Sequence, residues 1–63
     1  MTPKQIYNLR RDLHYSQSKF GSELGVRGWT VSRWELGKQT PTKEHIDCMT
    51  AIAVKNGVEI IRG

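Results

Sequence analysis

The sequence contains only one cysteine, Cys48, so no disulfide can form within the chain. It also lacks long hydrophobic runs: the longest spans residues 51–54, whereas a membrane-crossing helix needs about 20 apolar residues. No segment has the pattern of a secretory signal peptide. We therefore expect a cytoplasmic protein with no membrane association, in a reducing compartment, whose fold depends on packing alone.

Acidic residues are scarce in the first two thirds of the chain. Residues 1–43 hold eight lysines and arginines against three acids, whereas residues 44–63 hold two against three. The net charge of +4 therefore arises from the first part of the chain. Such a basic region is typical of proteins that meet a polyanion, but surface charge also serves solubility, and charge alone does not separate the two interpretations.

The chain of 63 residues is too short for two hydrophobic cores, since a domain of this size buries only about 60% of the surface that its unfolded chain exposes. Apolar residues recur at helical spacing in four segments, and capping residues separate them. The sequence therefore predicts an all-α domain over residues 1–57 and a short C-terminal tail over residues 58–63. The predicted helices are Pro3–Leu13, Gln17–Leu24, Gly28–Leu36, and a fourth that is capped by Thr40 or Thr42 and ends at Asn56-Gly57.

The second and third predicted helices are joined by a three-residue turn that begins with Gly25, which is the spacing of a helix-turn-helix. The chain from Leu9 to Pro41 resembles the Cro/repressor, or XRE-type, family of bacterial and phage DNA-binding domains. The residues that carry the resemblance are Leu9-Arg10, Ser16-Gln17, Gly21, Leu24-Gly25-Val26 and TVSRWELGKQTP from Thr30 to Pro41.

The resemblance implies a compact four-helix bundle of the repressor-like type and a sequence-specific transcriptional regulator in a bacterial or phage-infected cell. The simplest mechanism is repression at a pseudopalindromic operator that is read through the major groove. The implied partners are double-stranded DNA and a second copy of the chain, at least on DNA. Neither a cofactor nor a small-molecule ligand is implied.

Family positions also assign roles to individual residues. Trp34 is expected to anchor the third helix from behind, and Arg10 and Glu35 to form a structural ion pair. The base-contacting positions are Gly28, Trp29, Ser32 and Arg33. The phosphate-contacting positions are Gln17, Arg27, Thr30, Lys38 and Lys43. Since Gly28 has no side chain, sequence readout should depend on the other three base-contacting residues or on DNA shape.

Gly21 matches a position where the family usually has alanine, which is also small. The sequence departs from the family pattern at three positions. His14 stands where a glycine usually forms a left-handed turn, a conformation that histidine tolerates. Arg27 occupies the usual serine or threonine cap of the third helix, so this helix should begin at Gly28 or Trp29. Gly28 itself replaces a residue that often reads bases.

Other interpretations remain open at this point. Trp29 could pack into the domain, Arg33 could be a solvated surface residue, and the fold could serve an RNA-binding or protein-bridging module. His45 and Cys48 are too few for a structural zinc site, which takes four ligands, and we expect neither a metal site nor enzymatic activity. A membrane-surface peptide is disfavoured because the apolar stripes lie between helix caps.

The tail VEIIRG is rich in β-branched residues and too short for a helix. Its apolar residues Val58, Ile60 and Ile61 predict a homodimer formed through the tail and the end of the fourth helix, in which two tails pair as antiparallel strands. The alternative is a tail that folds back on its own core.

Overall fold

The computed structural model describes residues 1–60, and all regular structure in this range is helical. The four helices are α1 (Pro3–Asp12), α2 (Gln17–Leu24), α3 (Gly28–Glu35) and α4 (Lys43–Lys55). They confirm the predicted all-α bundle, with α2 and α3 as the helix-turn-helix pair. Within residues 1–60 no helix is long and apolar enough to cross a membrane.

Local sequence signals explain where the helices begin. At α1 the Thr2 hydroxyl accepts from the Gln5 backbone N–H at 3.1 Å, and the Gln5 side chain accepts from the Thr2 N–H at 2.7 Å. This is the predicted capping box. Of the two candidate caps for α4, it is Thr42 that accepts from the His45 N–H, at 3.3 Å. By contrast, α3 begins after Arg27 without a side-chain cap.

Positive backbone dihedral angles mark two of the turns. His14 follows α1 with φ of 59°, which is the left-handed conformation that its family position implies. Gly25 ends α2 with φ of 74°, and the chain then turns so that the Val26 N–H donates to the Gly21 carbonyl at 2.8 Å. The short turn brings α3 directly against α2.

The core lies where the four helices meet. Trp34 of α3 is almost fully buried and contacts the His45 ring of α4, with ring centroids 5.2 Å apart. Burial of a tryptophan at this point fixes the position of α3 relative to the rest of the domain. The other buried core residues are Ile6, Leu9, Phe20, Leu24, Val31, Met49 and Ala53.

The described part of the tail lies on the domain's own core. The Val58 N–H donates to the Ala53 carbonyl at 2.9 Å, and the half-buried Val58 and Ile60 pack against the core cluster. This arrangement is the fold-back alternative for residues 58–60, which contain no strand. Ile61, the third apolar tail residue, lies outside the described residues.

Candidate nucleic-acid interface

The outer face of α3 carries an exposed aromatic residue and an exposed cation. Trp29 is 62% exposed, and Arg33, one helical turn later, is also exposed. Val31 and Trp34 occupy the opposite, buried face, as their three-residue spacing predicts. Ser32 is half-buried at the edge between the two faces. Because Trp34 holds the inner face in the core, the outer side chains are presented on a rigid support.

Trp29 and Arg33 contact each other on the outer face of α3. The Arg33 guanidinium carbon lies 5.4 Å from the centroid of the Trp29 ring, within the range of a cation–π interaction. Their spacing of four residues places both side chains on one helix face. The four-residue spacing in the sequence is the signal from which this pairing could have been predicted.

The structure places Gly28 against the start of α2, which bears on its expected role as a base-contacting residue. A Cβ atom built at this position would lie 3.1 Å from both the Cα and the backbone nitrogen of Ser18. Side chains at position 28 would therefore point into the start of α2 rather than outward. The glycine permits the close approach of the two helices, and its assignment as a base-contacting residue does not fit this geometry.

A polar network behind α3 joins three elements. Arg10 of α1 donates from Nε to Glu35 Oε2 at 2.6 Å and from Nη2 to Oε1 at 3.0 Å, while Nη1 donates to the Tyr15 carbonyl at 3.0 Å. In this ion pair the Arg10 side chain is only 11% exposed and the Glu35 side chain only 7%. The hydrogen bonds to Glu35 raise the pKa of the Arg10 guanidinium above its ordinary value, despite the opposing effect of burial.

Gln17, at the start of α2, belongs to the same network. Its Nε2 donates to Glu35 Oε1 at 3.2 Å, which neither the helix pattern nor the family position indicated. The amide retains a second N–H and its oxygen for another partner. A ligand held by Gln17 would therefore be positioned through Glu35 and Arg10, and not by α2 alone.

The proposed phosphate contacts differ in exposure. Arg27, Lys38 and Lys43 are exposed on the segments next to α3, and Lys43 lies 3.9 Å from Asp47 in a fully solvated ion pair. Thr30 is only 8% exposed. It precedes Trp34 by four residues and so shares the inner face of α3, a spacing from which its burial could have been predicted. With so little accessible surface, Thr30 offers less to a phosphate than the three exposed cations do.

Within residues 1–60 no three side chains of histidine, cysteine, aspartate or glutamate come together as a metal site would require. Cys48 is half-buried with its Sγ 4.0 Å from the Glu23 carbonyl oxygen, and His45 contacts Trp34. Cys48 and His45 therefore both have neighbours within the domain.

Comparisons with known proteins agree with this architecture. The family model described as Helix-turn-helix matches residues 6–47, which is two thirds of the chain. The matched segment contains α2, α3 and the ion pair between Arg10 and Glu35. No curated protein and no solved structure matches the chain.

Proposed function

Because the chain belongs to the Cro/repressor-like, XRE-type helix-turn-helix family of DNA-binding regulators, we propose that it is a transcriptional repressor that binds a pseudopalindromic operator. In this proposal α3 enters the major groove and α2 crosses the phosphate backbone. Occlusion of a promoter requires only that the bound protein covers the site.

The observation that carries the proposal is the division of α3 into two faces. One face is locked in the core by Trp34, and the other presents Trp29 and Arg33 to solvent. A rigid helix with an arginine on its outer face suits direct readout, because arginine forms two hydrogen bonds with the O6 and N7 atoms of guanine. Ser32 is the remaining base-contacting candidate at the edge of this face.

Selection from randomised DNA duplexes tests the proposal directly. We expect a consensus with two half-sites related by a dyad and spaced by about one helical turn of DNA. A mobility-shift assay should then show strong preference for this duplex over a shuffled duplex and over an RNA duplex of the same sequence. The absence of a consensus, or equal binding to RNA, would reject operator recognition and favour an RNA-binding or bridging role.

The phosphate contacts predict a strong dependence of binding on salt. Lys38 is exposed immediately after α3, where we propose that it contacts a phosphate with Gln17, Arg27 and Lys43. Each phosphate contact releases condensed counterions, so Lys38→Ala should reduce the slope of log K against log salt by about one and weaken specific and nonspecific duplexes equally. Lys4→Ala, which removes an exposed lysine of α1 outside the proposed DNA-contacting set and the proposed dimer surface, is the matched control. If both variants keep the wild-type slope, Lys38 does not contact DNA.

We also propose that the protein binds its operator as a homodimer through the end of α4 and the tail. A shallow groove of about 430 Å³ crosses this surface, and Val54 in its lining is 76% exposed. A two-fold operator matches a two-fold dimer. Residues 58–60 contribute from their folded-back position in this proposal. The groove is lined by Thr50, Ala53, Val54, Val58, Glu59 and Ile60.

Charge placed at Val54 tests this dimer surface without disturbing the core. Val54→Lys should weaken dimerisation at least about tenfold, because an interfacial lysine must be desolvated without a partner. Sedimentation and cooperative binding to a duplex with two half-sites would measure the loss. Glu44→Gln changes the net charge by the same amount at the other end of α4, about 15 Å away, and should leave both measurements unchanged. Wild-type cooperativity in Val54→Lys would exclude this surface.

A further inference from the structure

Arg33 and Trp29 form a cation–π pair on the outer face of α3. Among residues 1–60 the Arg33 guanidinium has no side-chain hydrogen bond and no ion pair, and its neighbour is the ring of Trp29 at 5.4 Å. All five N–H donors of the guanidinium therefore remain available. Trp29 exposes more than half of its surface on the same face of α3.

The cation–π contact with Trp29 restricts the positions that the Arg33 guanidinium can adopt. A free arginine samples many rotamers, and binding must then order it, whereas a guanidinium held against an aromatic ring is already partly ordered. Trp29 is thus placed to act as a positioning residue for Arg33. The indole ring of Trp29 also adds a large apolar surface directly beside the Arg33 guanidinium.

The major groove offers a matching pair of features. Guanine presents the O6 and N7 acceptors that an arginine fork recognises, and thymine presents the C5-methyl group that an apolar side chain contacts. Successive base pairs are about 3.4 Å apart, so groups separated by 5.4 Å fall on the same or on neighbouring base pairs. The cytosine C5 position lacks this methyl group unless it is methylated.

We propose that Trp29 and Arg33 act together as a reader of a guanine next to a 5-methylpyrimidine. Arg33 hydrogen-bonds the guanine, and Trp29 contacts the methyl group and holds the guanidinium in place. The inference rests on the proposed recognition of duplex DNA by α3, and it adds the chemical feature that this helix reads. Thymine and 5-methylcytosine present the same methyl group.

Base analogues in the selected duplex test the proposal. Replacing one particular thymine per half-site with deoxyuridine removes only the methyl group and should weaken wild-type binding about fourfold per half-site, the equivalent of one buried methyl. Replacing the neighbouring guanine with 7-deazaguanine removes N7 and should weaken binding more strongly. At the thymine position, 5-methylcytosine should bind more tightly than cytosine if the methyl group alone is read. If deoxyuridine weakens binding but 5-methylcytosine binds no more tightly than cytosine, the base read at this position is thymine.

Protein variants then distinguish the contribution of Trp29 and Arg33 to binding from that of the other interface residues. Trp29→Ala should abolish the deoxyuridine effect and also reduce the 7-deazaguanine effect, while Trp29→Phe should retain part of both. Leu36→Ala removes the other large exposed apolar side chain near the end of α3 and should behave as wild type. Because Trp34 is the only other tryptophan, its fluorescence reports whether the core of each Trp29 variant is intact.

The outcomes distinguish this inference from the proposed function. If no duplex is selected, recognition of an operator fails. If a duplex is selected but deoxyuridine has no effect at any thymine, or if Trp29→Ala keeps the wild-type response to it, operator recognition stands and the paired reader is rejected.

Discussion

Replacing Arg10 with methionine is expected to destabilise the domain by about 3–5 kcal/mol, the range found when one partner of a buried ion pair is removed. Arg10 makes two hydrogen bonds to Glu35 and one to the Tyr15 carbonyl, and both side chains of the pair are largely buried. After the substitution the Glu35 carboxylate would keep only the Gln17 amide as a partner. Urea unfolding followed by circular dichroism would measure the loss.

A double-mutant cycle assigns this loss to the ion pair. Arg10→Met combined with Glu35→Leu should destabilise less than the sum of the single changes, because no unpaired charge remains in the double variant. Lys43→Met breaks the solvated pair with Asp47 and should change the free energy of unfolding by about 0.5 kcal/mol or less. Additive single effects would show that the contact between Arg10 and Glu35 contributes no coupling energy.

The second large effect is expected at Gly21, where the family usually has alanine. A Cβ atom at this position would lie 2.7 Å from the Val26 carbonyl oxygen and 3.1 Å from that of Arg27. Both obstacles are backbone atoms of the turn, which cannot rotate away as a side chain could. Gly21→Val should therefore destabilise the domain by about 3 kcal/mol, the upper range for overpacking. Gly21→Ala should cost less, because alanine regains about 1 kcal/mol of helix propensity.

Ser22→Val is the control for Gly21, since Ser22 is the exposed neighbour in the same helix. It should change stability by about 0.5 kcal/mol or less. Equal stability of Gly21→Val and Ser22→Val would mean that the turn between α2 and α3 relaxes freely. In that case the residue at position 21 does not control the approach of the two helices.

The sequence predicted the helices because the signals that start and stop them act over a few residues. The capping box at Thr2 and Gln5 and the left-handed turn at Gly25 involve neighbours in the chain, so their residue types indicate the structure. Helical spacing likewise placed Val31 and Trp34 on the buried face. The same reasoning, applied to the four-residue spacing from Trp34, would have placed Thr30 there too.

What the sequence by itself determined is therefore the set of helices, their caps and the inner face of α3. Only the tertiary structure decided what lies between helices: Gly28 against Ser18, Gln17 beside Glu35, and the described tail residues on their own core. The first two contacts join different helices, and their geometry depends on how closely α2 and α3 approach. Local propensity contains no information on that distance, because it results from the packing of all four helices around one small core.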